Sequence, residues 1–195
     1  TEEGAPSAWM IYYTVPDADA TTQAVQNAGG TVRVAPMDLE DWGRMAQFTD
    51  PLGGQFAVWQ PGKNSGFELA DEPGSLSWTE LYTTDADVAR KFYSEVFGWQ
   101  PSETMDMGPM GKYHMFNRPH GMIGGMMNKP PEMAQVPPNW QIYFRVPDIN
   151  AAVERIKANG GQILNGPMEV PGGDWVVNAM DPQGAAFGLH AKKAQ

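Results

Sequence analysis

The side chains of this chain that could do chemistry lie on short alternating stretches. Trp78, Glu80, Tyr82 and Thr84 recur at every second position, as do Gln141, Tyr143 and Arg145 and, later, Ala186, Gly188 and His190. In a β-strand, residues so spaced share one face. A carboxylate with two imidazoles can hold a divalent ion, and Glu80, His190 and His114 would form such a set. Without a metal, Glu80 and His190 would be a general acid–base pair. The plainer reading pairs Glu80 with Arg145, because a buried carboxylate without a cation is costly. It leaves His190, close to Lys192 and Lys193, in solvent, and places His114 and His120 in loops or at an edge beside a Pro/Gly-rich stretch. Trp78, Tyr82, Trp140 and Tyr143, with eight of the 13 Met between Met105 and Met133, suit an adaptable apolar wall. Ordinary packing would use the same residues.

Composition removes other classes of function. The 195 residues carry 13 Lys and Arg against 23 Asp and Glu, a net charge of −10, and neither sign forms a block. Nothing in that distribution would neutralise a phosphate backbone or hold an anionic membrane. Apolar runs stop far short of the roughly 20 residues that cross a bilayer. With no Cys there is no disulfide framework, zinc ribbon or thiol nucleophile, which fits a reducing compartment, and a cytoplasmic location is expected. None of the pairs Gly29-Gly30, Gly124-Gly125 and Gly172-Gly173 joins a strand to a helix as a phosphate loop must, and no nucleophile elbow is present. The sequence opens at Thr1 and not at Met, so the expectation is that some N-terminal sequence was removed or never recorded, and any targeting signal would have gone with it.

The elements that position these residues come from a repeat. Trp9 to Gln60 aligns without a gap on Trp140 to Ala191 at a constant offset of 131. Val15-Pro16-Asp17 matches Val146-Pro147-Asp148, Gly29-Gly30 matches Gly160-Gly161, Asp50-Pro51 matches Asp181-Pro182, and Phe56 matches Phe187. A more divergent copy lies between them, with Asp85 standing before Gly98 as Asp17 stands before Gly30. In each copy an alternating strand precedes an Asp that can cap a helix. An apolar helical stripe follows (Ile149, Ala152, Val153 and Ile156 in the last copy, Val88, Ala89, Phe92 and Val96 in the middle one), and a glycine ends it. Three strands come next, the last two joined in the outer copies by the Asp-Pro-x-Gly turns at 50–53 and 181–184. The unit is βαβββ.

Such a unit, used repeatedly, with Phe92-Tyr93-Ser94-Glu95-Val96-Phe97-Gly98-Trp99 in one copy and the Asp-Pro-x-Gly turn in the others, resembles the vicinal oxygen chelate superfamily of glyoxalases, bleomycin-resistance proteins and extradiol dioxygenases. The resemblance covers essentially the whole chain and is closest to tandem-domain, glyoxalase-like members. It implies an α+β fold of βαβββ modules paired into a curled mixed sheet around a cavity, with helices on the convex face. Residues 75–195 would be one complete paired domain, 63–74 a linker, and 1–62 a lone C-type module whose partner is missing or supplied in trans. The apolar concave positions Met10, Tyr12, Thr14, Ala57 and Trp59 of that lone module would then be covered by an upstream module or by a second copy, which would make the protein a homodimer. The family's metal ligands stand seven residues before the capping Asp and four after the turn glycine, which here gives Trp78, Gln141 and Met10, and Gly188 and Ala57. Only Gln141 could ligate. The resemblance therefore implies a protein that has lost the family metal, needs no cofactor, and binds a small aromatic or hydrophobic molecule through Trp78, Glu80, Tyr82, Gln141, Tyr143, Arg145 and His190. The alternative is a metal-dependent lyase, isomerase or oxygenase with a shifted or missing-module site; a purely structural, oligomer-building role is the third.

Overall fold

The computed structural model describes residues 6–118 and 121–193. Each helix starts where an Asp can satisfy free N–H groups of the first turn. Asp17 accepts from the Ala20 N–H at the start of α1 (Ala18–Asn27), and Asp85 accepts from Asp87 and Val88 at the start of α2 (Ala86–Phe97). Asp148 accepts from Asn150 and Ala151 before α3 (Ile149–Ala158). Gly98 closes α2 in the left-handed conformation, φ 68°. Contacts divide the chain into two compact units that cut across the repeat.

The first unit joins the segment ending at Trp9, Leu69–Trp78 and the described residues from Gln141 on. Its strands are β9 (Asn139–Arg145, from Gln141 on), β10 (Gln162–Glu169), β11 (Trp175–Met180) and β12 (Ala186–Ala191), in the order β10-β11-β12-β9. The Ser75 carbonyl accepts from the Arg145 N–H and the Ser77 hydroxyl donates to the Tyr143 carbonyl, which places the start of β5 (Leu76–Thr83) beside β9. One face of this sheet lies under α3, where Ile149, Ala152 and Val153 meet Val177, Leu189 and Ala191, with Phe144, Val146, Ile156 and Phe187 around them. Burial of that stripe is what holds the helix, since so short a helix is marginal alone. The Asp181 carboxylate fixes the β11–β12 turn by accepting from the Gln183 and Ala185 N–H groups, at 2.8 and 2.9 Å.

The second unit holds Met10–Glu68 and Thr79–Trp140. The first module contributes β1 (Tyr12–Thr14), β2 (Thr31–Leu39), β3 (Gly43–Thr49) and β4 (Gln55–Pro61), in the order β1-β4-β3-β2. The middle module contributes β5 from Thr79, β6 (Gln100–Asp106), β7 (Lys112–Arg118) and β8 (Gly121–Asn128), in the order β5-β8-β7-β6. The helix-bearing face of the first module packs on α2. Phe56 is fully buried against the rings of Phe92, Tyr93 and Phe97, with centroids 5.3–6.0 Å apart. The cluster continues through Tyr13, Trp99, Phe116 and Trp140, and Trp99 stacks on Phe116 at 4.4 Å. The opposite face of the four-stranded sheet carries Tyr12, Met37 and Leu39, all at least 40% exposed, beside Trp59.

One polar group sits in this aromatic core. Asp50 accepts from the Leu52 and Gly54 N–H groups with Oδ1 and from the Tyr93 hydroxyl, 2.9 Å away, with Oδ2; the Trp140 indole N–H donates to the same hydroxyl at 3.0 Å. Burial raises the Asp50 pKa above the ordinary carboxylate range, and the bonds from Gly54, Leu52 and Tyr93 oppose that rise without cancelling it. A carboxyl whose folded pKa is raised binds its proton more tightly in the native state, so its contribution to stability falls as pH rises through the window above 3.8. Tyr93→Phe removes a donor to the ionised carboxylate. The expected loss at pH 7 is about 1–3 kcal/mol, and smaller at pH 4, where Asp50 is more nearly protonated; urea unfolding at the two pH values measures the difference.

Candidate functional site

The helix-free face of the first unit brings together side chains from three strands. In β12 and β9, Gly188 pairs with Tyr143 and His190 with Arg145; in β11 and β12, Val176 pairs with His190 and Asn178 with Gly188. Paired residues point to the same side, and alternation adds Gln141, so Gln141, Tyr143, Arg145, Asn178 and His190 share the face away from α3. Gln141 is 7% exposed and Tyr143 is 3% exposed. Three buried polar atoms on this face, Gln141 Nε2, Asn178 Oδ1 and His190 Nδ1, have no hydrogen-bond partner among the described residues. Buried polar atoms are rarely left so, and these three lie on one face.

Charge surrounds them. His190 Nε2 lies 2.9 Å from Asp174 Oδ2, and Asp174 Oδ1 accepts from the Lys193 N–H at 2.9 Å. Burial would raise Asp174, but the Lys193 and His190 bonds outweigh it and the carboxyl lies below its ordinary value. A carboxylate only accepts, so the Nε2 that faces Asp174 carries a hydrogen, and the buried Nδ1 is the ring nitrogen without a partner among the described residues. His190 is thus a half-buried, carboxylate-oriented residue and not the solvated one expected, because the start of β11 delivers Asp174 to it. Arg145 likewise meets an unexpected carboxylate: its Nη1 is 3.0 Å from Asp71 Oδ1, and Lys192 Nζ donates to Asp71 Oδ2. The Lys192 bond and the nearby Arg145 charge hold Asp71 below the usual carboxylate range. Trp78 lies on the part of β5 that belongs to this unit.

Glu80 and Tyr82 stand on the corresponding face of the second unit, both 9% exposed, with Glu80 paired to Gly125 and Tyr82 to Met127. His114 does not join them. It pairs with Met126, one residue out of phase with Gly125, so it points to the opposite, α2-bearing side, where it lies 3.0 Å from Thr104 Oγ1 and 3.7 Å from Asp87. Burial lowers the His114 pKa. It is therefore neither a loop residue nor a partner for Glu80, since alternation in β7 separates them by the thickness of the sheet. His120 lies outside the described residues. Asn178, Asp174 and Asp71 are absent from the sequence-based set. Asn178 was within reach, because the Asp181–Gly184 turn fixes the register that pairs it with Gly188; the other two needed the strand ends and the linker in place.

A mixed α+β chain of repeated βαβββ modules defines a structural class. Residues 75–189 match the model of the Glyoxalase/Bleomycin resistance protein/Dioxygenase superfamily, and the chain belongs to that family. It is 38% identical over 189 residues to the anthracycline biosynthesis protein DauV of Streptomyces sp. (strain C5), covering 96% of this chain and 67% of the relative. It is 36% identical over 187 residues to the putative glyoxylase CFP32 of Mycobacterium tuberculosis (strain CDC 1551 / Oshkosh), covering 96% of this chain and 70% of that one. Among solved structures, 2,2',3-trihydroxybiphenyl 1,2-dioxygenase from Sphingomonas wittichii strain RW1 shares the fold with TM-score 0.66 at 16% identity, over 96% of this chain and 71% of that chain. The Mn(II)-bound glyoxalase from Novosphingobium aromaticivorans does so with TM-score 0.62 at 19% identity, over 91% of this chain and 59% of that one. No helix among the described residues is long and apolar enough to cross a membrane.

Both helix-free faces are built on the same close approach, a glycine under a tyrosine ring from the adjacent strand. A Cβ on Gly188 would lie 2.3 Å from Tyr143 Cδ1, and one on Gly125 would lie 2.2 Å from Tyr113 Cζ. Gly188→Ala must therefore displace Tyr143, at an expected cost of about 1–3 kcal/mol in thermal or urea unfolding. Combined with Tyr143→Ala, which vacates the space, the same change is expected to cost much less than additivity requires, a coupling that a double-mutant cycle reads directly.

Proposed function

We propose that this chain is a small-molecule-binding member of the family that has lost the family metal, and that it holds a planar, oxygen-bearing aromatic molecule on the helix-free face. The observation that carries this is the set of unpartnered buried atoms, Gln141 Nε2, Asn178 Oδ1 and His190 Nδ1, beside the Tyr143 ring. An oxygenated aromatic supplies a flat apolar body for Tyr143 and Trp78, and hydroxyl and carbonyl groups for the orphaned amides and imidazole. Arg145 completes the set in the first unit, while Glu80 and Tyr82 offer a second polar and aromatic pair on the face of the other. The name of the Streptomyces relative, an anthracycline biosynthesis protein, supports the ligand class, since an anthracycline is a polycyclic, hydroxylated quinone.

Several features argue against a divalent ion at the family position. Gly188 offers no ligand, a side chain there would collide with Tyr143, and no group of three His, Cys, Asp or Glu able to hold a metal occurs among the described residues. The donors available on this face are carboxamides and one imidazole already committed to Asp174, a weak set for such an ion. A second reading, proton transfer, is favoured by the same His190–Asp174 pair, whose free Nδ1 is oriented as a general base would be. A cytoplasmic location and a homodimer, formed through the exposed Tyr12, Met37 and Leu39 face, remain part of the proposal.

Titration of the chain with an anthracycline aglycone and with simpler hydroxyquinones, followed by Trp quenching, tests the binding. Saturable binding is expected, with Gln141→Ala and His190→Ala each weakening it roughly five- to tenfold. Absence of saturable binding across the panel, or affinities that neither variant changes, would overturn the proposal. Stoichiometric Zn, Mn, Ni or Fe retained by the purified chain and released by Gln141→Ala would overturn its metal-free part. Exchange of a ligand carbon-bound hydrogen with D2O that is lost in Asp174→Asn would select the proton-transfer reading.

A further inference from the structure

The first and last modules match residue for residue, so what fills a feature of one can be compared with what fills the other. On the helix side of the first module, Val25, Gly30, Phe56 and Val58 form a hollow occupied by Phe92 and Tyr93 of α2. Phe92 lies so close to Gly30 that a Cβ there would stand 3.1 Å from its ring, Phe56 is fully buried, and the Tyr93 hydroxyl bonds Asp50 Oδ2 at 2.9 Å. Moved by 131 positions, these residues become Ile156, Gly161, Phe187, Leu189 and Asp181. They line an open groove of about 360 Å³ in the first unit. The groove is mostly apolar, Phe187 and Ile156 are only half-buried where Phe56 and Val25 are fully buried, and the atoms nearest a Cβ on Gly161 belong to Ile156 and Met180, where those nearest one on Gly30 include the Phe92 ring. Asp181 holds its turn with Oδ1 just as Asp50 does, so its Oδ2 occupies the position that takes the Tyr93 hydrogen in the first module.

We infer that this groove is a docking site for the helix of another βαβββ module, one that presents adjacent Phe and Tyr residues on its buried face. The aromatic pair would cover Phe187 and Gly161 as Phe92 covers Phe56 and Gly30, and the Tyr hydroxyl would donate to Asp181. The α2 helix of this chain is already committed to the first module, so the occupant is a further helix of the same type. The curated relatives leave about a third of their own length unmatched by this chain, room for one such module in them. The inference does not depend on the ligand-binding reading, since the groove lies on the α3 side of the sheet and the unpartnered polar atoms lie on the other.

The probe is a helix-stabilised synthetic peptide with the sequence of residues 85–98, titrated into the isotope-labelled full chain and followed by amide chemical shifts and calorimetry. Saturable binding is expected, with shifts concentrated at Ile156, Gly161, Asp181 and Phe187. The Tyr93→Phe peptide should bind roughly tenfold more weakly, and a peptide with Phe92→Ala and Tyr93→Phe should show no measurable binding. Because the substitutions are in the peptide, a folding defect in the chain cannot mimic the result. No shifts at the groove, or equal affinity for all three peptides, would overturn the inference. So would a concentration-dependent dimer of the chain alone whose contacts fall on the same residues, which would make a second copy the occupant.

Discussion

A carboxylate withdrawn from water must be paired on nearly every lone pair, and Asp50 shows how much of this fold turns on that requirement. Its Oδ1 closes the β3–β4 turn and its Oδ2 takes the Tyr93 hydroxyl, so one side chain ties the local geometry of the first module to the helix of the middle one. The aromatic cluster supplies the apolar burial of that junction, but rings slide over one another at small cost. The Asp50–Tyr93–Trp140 chain of hydrogen bonds gives the packing a fixed register. The last module keeps the turn-closing half of the device at Asp181 and opens a groove where the other half would be.

The two faces of the sheet divide the work in the middle and last modules. Under the helices, Val, Leu, Ala and Phe side chains supply the stabilising apolar burial; on the opposite face the sheet carries Gln, Tyr, Arg, Asn, His and Glu. Placing those groups where water is scarce costs stability unless something satisfies them, and Gln141, Asn178 and His190 each have one buried atom without a partner among the described residues. The close approaches at Gly188 and Gly125 bring a tyrosine ring flat over the sheet where a side chain would otherwise project.

Most of the architecture was legible in the sequence because its signals are local. The capping aspartates, the glycines after α1, α2 and α3, the Asp-Pro-x-Gly turns and the period-2 strands each depend on a few neighbouring residues, and the offset of 131 tied them into equivalent modules. Face assignments for Gln141, Tyr143, Arg145 and His190 followed from alternation alone, and the pairing of β9 with β12 agrees with them. His114 shows the limit of local reading. A Pro/Gly-rich neighbourhood suggested a loop, whereas the register of β7 with β8 places it under α2.

The sequence by itself determined the family, the βαβββ units and which residues could share a face, since periodicity, caps and turns are properties of consecutive residues. Only the tertiary structure decided partners: Asp174 for His190, Asp71 for Arg145, and Tyr93 for Asp50. Such pairings join positions 16, 74 and 43 residues apart, and they depend on how strand ends, a linker and a helix are packed. No local pattern encodes that arrangement. The same holds for the groove at Phe187, which is visible as empty only because the equivalent hollow at Phe56 is filled.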